Sequence, residues 1–155
     1  MRFNHIGIST TDLDRAVKFY TEVLGATVVK EPATSMYDGS PARERTRDIF
    51  GPEWEGMRIA HLRTPDGAGL ELFEFISPKQ EKPKNNFAYW QSGIYHFALT
   101  VEDIEGAMEA IERNGGKVRS KLHTMPSGGR LVYAEDPDGI IFELYTLDYA
   151  DMHTY

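Results

Sequence analysis

Two histidines and two glutamates occupy matched places in this chain. His5 lies in HIGIS and His96 in YHFALT, while Glu71 lies in GLELFEF and Glu143 in IIFELY. Both glutamates interrupt segments that are apolar at almost every other position. An ionised carboxylate taken out of water costs on the order of several kcal/mol unless it is paired, hydrogen-bonded or bound to a metal. Side chains alternate faces along a strand, so Ile6 and Ile8 share one face and leave His5 with Gly7 and Ser9 on the other. The same alternation sets His96 with Ala98 and Thr100, Glu71 with Phe73 and Phe75, and Glu143 with Ile141 and Tyr145. Glu74 alternates with Leu70 and Leu72 instead, on the opposite face from Glu71. The small residues Gly7, Ser9 and Ala98 leave room beside the imidazoles. Two neutral imidazoles and two carboxylates neutralise a divalent cation and satisfy the buried charges. Nitrogen and oxygen donors without sulfur suit nickel, zinc, cobalt, iron or manganese, one ion per site. An octahedral ion would keep two positions open, enough to chelate a small-molecule substrate through two oxygens.

The elements that must position these groups are visible as an internal repeat. Slid by 91 residues, HIGISTTDLDRAVKFY falls on HFALTVEDIEGAMEAI, so that His5 meets His96, Asp12 meets Asp103 and Ala16 meets Ala107. Slid by 72, RIAHLRTPDGAGLELF falls on RLVYAEDPDGIIFELY, so that Arg58 meets Arg130, His61 meets Tyr133 and Glu71 meets Glu143. The difference between the two shifts, 19 residues, places an insertion in the first half, within residues 31–56. The chain reads as a tandem duplication.

Each half carries the same grammar. A strand (2–9; 93–100) precedes an acidic cap and a helix (12–23; 103–114) with apolar residues at helical spacing. Glycine ends each helix at Gly25 or Gly115-Gly116. A strand follows (26–31; 117–121), then two more joined by a Pro-Asp-Gly turn (57–64 and 69–76; 130–135 and 140–147). The expected organisation is one domain, residues 1–155, with module one at 2–76, a linker at 77–92 and module two at 93–148.

Composition narrows the classes of function. The chain has no cysteine, which removes disulfides, thiolate zinc sites and cysteine nucleophiles. A net charge of −7 argues against a nucleic-acid surface. No apolar run reaches the roughly 18–20 residues of a membrane helix, and no signal-peptide core opens the chain. The expectation is a cytoplasmic protein with neither nucleic acid nor membrane as partner. Arg43, Arg45 and Arg47 form the one basic cluster, read as a solvated helix or loop face in preference to a clamp for an anionic substrate.

NHIGISTTDLDRAVKFYTEVLG, LELFEF, YHFALTVEDIEGAMEAI and DPDGIIFELY together resemble the vicinal oxygen chelate superfamily of glyoxalase I, methylmalonyl-CoA epimerase, extradiol dioxygenases, fosfomycin-resistance enzymes and bleomycin-resistance proteins. The resemblance spans residues 3–147. It implies an α+β fold in which two βαβββ modules form a cup-shaped mixed sheet around a metal, with helices outside. It also implies that His5, Glu71, His96 and Glu143 are the metal ligands, a set most similar to that of glyoxalase I. The implied reaction is that of a metal-dependent lyase or isomerase, moving a proton through a metal-bound enediolate on a small vicinal-oxygen substrate. Glu143 is then the main base and Glu71 its counterpart on the opposite face of the substrate. A homodimer is expected, and the cup can close within one chain or across that dimer.

Two competing readings remain open on the sequence. One is an iron(II) dioxygenase using His5, His96 and Glu143 as a facial triad with Glu71 free. The other is a resistance protein that sequesters an apolar drug in the cup without turnover. His61 is expected to be a packed or surface residue, and His123 to lie in a loop, HTMPSGGR, at the rim. Phe73, Phe75, Tyr145 and Trp90 are expected in ordinary core in preference to a pocket lining.

Overall fold

The computed structural model describes residues 2–152 and falls into two compact units, Met1–Lys82 and Pro83–Tyr155. The first contains β1 (His5–Ser9), α1 (Leu13–Leu24), β2 (Thr27–Met36), α2 (Pro41–Phe50), β3 (Gly56–Arg63) and β4 (Gly69–Ser77). The second contains β5 (Phe97–Thr100), α3 (Ile104–Arg113), β6 (Lys117–Val118), β7 (His123–Thr124), β8 (Arg130–Glu135) and β9 (Ile141–Tyr145). Both follow the duplicated β-α-β-β-β plan, and the fold is α+β.

In the first unit the strand order is β1-β4-β3-β2, with β1 parallel to β4 and the remaining pairs antiparallel. Asp12 starts α1 by accepting a hydrogen bond from the Arg15 N–H at 3.0 Å. Gly25 ends it in the left-handed conformation, φ 64°. Leu13, Ala16, Phe19 and Tyr20 bury the inner stripe of α1 against β2, β3 and β4. Beneath it lie Ile8, Ala60, Leu62, Leu70 and Leu72, all buried and all on one face of the sheet. That arrangement leaves the opposite face to Gly7, His61 and Glu71.

Glu74 belongs to the helix side, and its carboxylate has its own purpose there. It accepts from Arg58 Nη1 at 2.9 Å and from the Leu13 N–H at the start of α1 at 3.2 Å. Arg58 reaches on to Asp14 at 2.8 Å, so one guanidinium ties β3 and β4 to the helix. The second unit repeats the device with Arg130 and Glu105, where the guanidinium holds the Glu105 carboxyl below its ordinary range. Thr146 takes the place of Glu74 and accepts from the Arg130 N–H at 2.9 Å.

In the second unit the order is β5-β9-β8-β6, with β7 also pairing β8. Asp103 caps α3 through the Gly106 N–H at 2.9 Å. The expected strand over 117–121 is only two residues long. Arg119 and Ser120 both donate to the Tyr133 carbonyl, at 2.8 and 3.2 Å, and the Ser120 hydroxyl accepts from the Tyr133 N–H at 3.0 Å. This bulge interrupts the ladder, which resumes as β7. The loop expected over HTMPSGGR therefore begins as a strand at His123, and only the segment after Thr124 turns back.

The Pro-Asp-Gly turns close alike in both units. The Gly67 N–H donates to the Thr64 carbonyl at 3.0 Å, and the Gly139 N–H to the Asp136 carbonyl at 2.9 Å. Gly67 and Gly139 have φ of 97° and 85°, the left-handed residue that completes a three-residue hairpin loop. The insertion in the first half occupies residues 37–55, clasped where the Tyr37 N–H donates to the Glu55 carbonyl at 2.8 Å. Helix α2 lies within it and has no buried residue. Arg43, Arg45 and Arg47 are on this helix, and Arg47 is engaged within the insertion. It donates to the Trp54 carbonyl at 3.1 Å, pairs with Glu55, and stacks 3.4 Å over the Tyr37 ring. Among the described residues no helix is long and apolar enough to cross a membrane.

Candidate metal and proton-transfer site

On the open face of the first sheet, β1 and β3 flank β4 so that Gly7 and His61 both pair with Glu71. His5 lies one repeat of the pleat before Gly7, on the same face. Its Nε2 stands 3.5 Å from Glu71 Oε2. Glycines make this approach possible. A Cβ on Gly69, the partner of His5 in the ladder, would come within 2.8 Å of the His5 Cβ, and one on Gly7 within 3.3 Å of the Phe73 ring.

The other nitrogen of His5 is already committed. Its Nδ1 lies 2.6 Å from the Asn4 side-chain oxygen, a contact that orients the ring with Nε2 toward Glu71. A neutral imidazole with Nε2 toward a carboxylate oxygen is favourable with a cation between them. The spacing is close to what that cation sets. Two ligand atoms each about 2.1 Å from one ion lie roughly 3.0–3.4 Å apart at octahedral or tetrahedral angles.

The second unit presents the corresponding pair. His96 Nε2 stands 3.3 Å from Glu143 Oε2. Glu143 is only 7% exposed in a strand buried throughout. Tyr133 pairs with Glu143 across the hairpin. Burial, and next the charge of Glu143, push the Tyr133 phenol above its ordinary range. The His96 ring packs edge-on against Tyr95 and Tyr133, and its buried Nδ1 has no partner.

His96 departs from expectation in one respect. The strand read over 93–100 begins only at Phe97, so His96 stands just outside the ladder, whereas His5 is within β1. Where the first unit has Gly69, the second has Ile141, and a side chain at that position collides with a histidine kept in register. The ladder accordingly starts one residue later, at Phe97 opposite Phe142.

His61, half-exposed as a packed or surface residue would be, lies beside Glu71. Its Nδ1 is 3.4 Å from Glu71 Oε1, so the Glu71 carboxylate lies between two imidazoles. The signal was present in the sequence. A three-residue loop at Pro65-Asp66-Gly67 fixes residue 61 opposite residue 71. Phe73 and Phe75 stack on the same face, and Phe50 of the insertion meets their edges at 5.7 and 5.1 Å. Phe50, Trp54, Phe75 and Pro78 also line a cavity of about 290 Å³. Tyr145 is core as expected, while Trp90 is 68% exposed and is not. Among the described residues no group of three or more histidines and carboxylates is set for a metal ion, and each unit supplies a His-Glu pair.

Comparison with known proteins agrees with the duplicated fold. The family described as the glyoxalase/bleomycin resistance protein/dioxygenase superfamily matches residues 2–144. The chain belongs to that superfamily. It is 32% identical over 149 residues to a 2-epi-5-epi-valiolone epimerase from Actinomyces, covering 93% of this chain and 78% of the relative. It is 30% identical over 145 residues to a lactoylglutathione lyase from Salmonella typhimurium, covering 93% and 91%. Of the plant lactoylglutathione lyases it matches, the chain spans less than half the length. Among solved structures, a glyoxalase family protein from Bacillus cereus is 25% identical, with a TM-score of 0.76 and coverage of 94% and 93%.

Proposed function

We propose that this protein is a divalent-metal-dependent lyase or isomerase of the glyoxalase type. Its substrate would be a small molecule with two neighbouring oxygens, on which it moves a proton at the carbon beside a carbonyl. His5, Glu71, His96 and Glu143 would hold the metal, which supplies positive charge that acidifies that C–H bond. The observation that carries this reading is the repeated His-Glu pair. In the first unit Nε2 of His5, oriented by the Asn4 contact, stands 3.5 Å from Glu71 Oε2. The second pair stands at a similar distance.

In this reading Glu143 takes the proton from carbon and returns it to the neighbouring carbon or to the opposite face. Its burial keeps competing water away. Glu71 attends the other face of the substrate. Residues 1–155 act as one domain, the two modules completing a site within the chain or across a homodimer. Lyase and epimerase share this proton transfer, and relatives with both names match the chain.

Elemental analysis of the purified protein tests the metal, with stoichiometric loss expected in Glu71→Ala and Glu143→Ala. Turnover is then tested in deuterated water with two substrates: the adduct of methylglyoxal and glutathione, and 2-epi-5-epi-valiolone. Deuterium entering product carbon supports the proposal. Failure to bind nickel, zinc, cobalt, iron or manganese refutes it.

A further inference from the structure

The two halves hold their glutamates by different means. Each hairpin places one residue directly opposite the carboxylate, His61 opposite Glu71 and Tyr133 opposite Glu143. Identical Pro-Asp-Gly turns fix both registers, so the difference lies in the side chain alone. The Glu143 side chain is 9% exposed, enclosed in a strand buried throughout. The Glu71 side chain is 30% exposed and lacks that enclosure. What it has instead is a second imidazole. His5 faces Oε2 at 3.5 Å, and His61 faces Oε1 at 3.4 Å.

A carboxylate contacted at one oxygen can turn about its last bond and exchange its two oxygens. A contact at the second oxygen removes that freedom. We propose that His61 is a positioning residue: it holds Oε1 of Glu71 so that Oε2 is the oxygen presented beside His5. The assignment rests on the metal-binding reading of His5 and Glu71 given above.

The experiment titrates Co²⁺ against a competing chelator in wild type, His61→Phe, His61→Asn and Tyr133→Phe, recording the visible absorption of the bound ion. Groups that orient metal ligands typically contribute about 10–100-fold in affinity, and that loss is expected for His61→Phe, together with shifted cobalt bands. His61→Asn places an amide N–H near the position of Nδ1 and is expected to recover most of the affinity and the native spectrum. Circular dichroism and melting temperature separate loss of fold from loss of aim. Should His61→Phe fail to fold, His61→Ala takes its place, with the same loss expected and the same native result overturning the role. His61→Phe with native affinity and spectrum overturns the positioning role and leaves the metal reading intact. His61→Asn as weak as His61→Phe also overturns it. Wild type that binds no Co²⁺ overturns both.

Discussion

Gly69→Ala tests whether the close approach of β1 and β4 is what places His5. Gly69 pairs with His5 in the parallel ladder, and a Cβ there would stand 2.8 Å from the His5 Cβ. Carbon atoms in contact prefer about 3.5–4.0 Å, so the strands must separate by roughly 1 Å. Crowding of that kind costs about 1–3 kcal/mol. Replacing a strand glycine returns about 0.5–1 kcal/mol of backbone entropy. With mid-range values the net expectation is a loss of about 1–2 kcal/mol. For a chain of this size each kcal/mol lowers the melting temperature by about 2–4 °C, giving a fall of roughly 2–8 °C by circular dichroism. Cobalt affinity should fall as well, since His5 is displaced from Glu71. A melting temperature equal to or above that of wild type refutes the contact argument, and with it the account of why His96 leaves the ladder opposite Ile141.

Other expectations follow from the same geometry. Glu74→Ala should cost about 1.5–3 kcal/mol in urea unfolding, because Arg58 and the Leu13 N–H lose a charged acceptor. Asp12→Ala and Asp103→Ala should each cost about 1 kcal/mol through loss of a helix cap, measured in the same way. In metal-free protein, Tyr133 should ionise above ordinary tyrosine, because burial and Glu143 favour its neutral form. Since the folded state raises this pKa, the associated stability is complete below the ordinary tyrosine range and is lost as pH rises through the folded value. Tyrosinate absorbance should accordingly lose a late-ionising component in Tyr133→Phe, and that component should move to lower pH in Glu143→Gln.

The duplication was legible because it repeats side chains that the fold uses twice: the Asp caps, the Pro-Asp-Gly hairpins and the arginines at 58 and 130. Two shifts sufficed to pair His5 with His96 and Glu71 with Glu143. Alternation then placed each His and Glu of one unit on the face its helix leaves open. The bulge at Ser120 was not legible, since a hydroxyl accepting the Tyr133 N–H gives no periodic signal. The shortened β5 was hidden for a similar reason. It depends on the residue across the ladder, Ile141 against Gly69, and not on the strand's own sequence. The repeat gives His61 a tyrosine, Tyr133, as its counterpart, so no second histidine marks the position. The hairpin register that sets it against Glu71 follows from turn length, which the sequence does show.

The insertion has a consequence for how such a chain can diversify. Residues 37–55 begin and end beside one another at the Tyr37–Glu55 bond, and their helix contributes nothing to the buried interior. Closing a longer loop adds only about 0.6 kcal/mol for each doubling of its length. Such an excursion can therefore be lengthened at small thermodynamic expense, provided that Trp54, 1% exposed, keeps its buried place. Phe50 is its foothold on Phe73 and Phe75. Ligand preference could be retuned from this outcrop, leaving the histidines and glutamates where the repeat has put them.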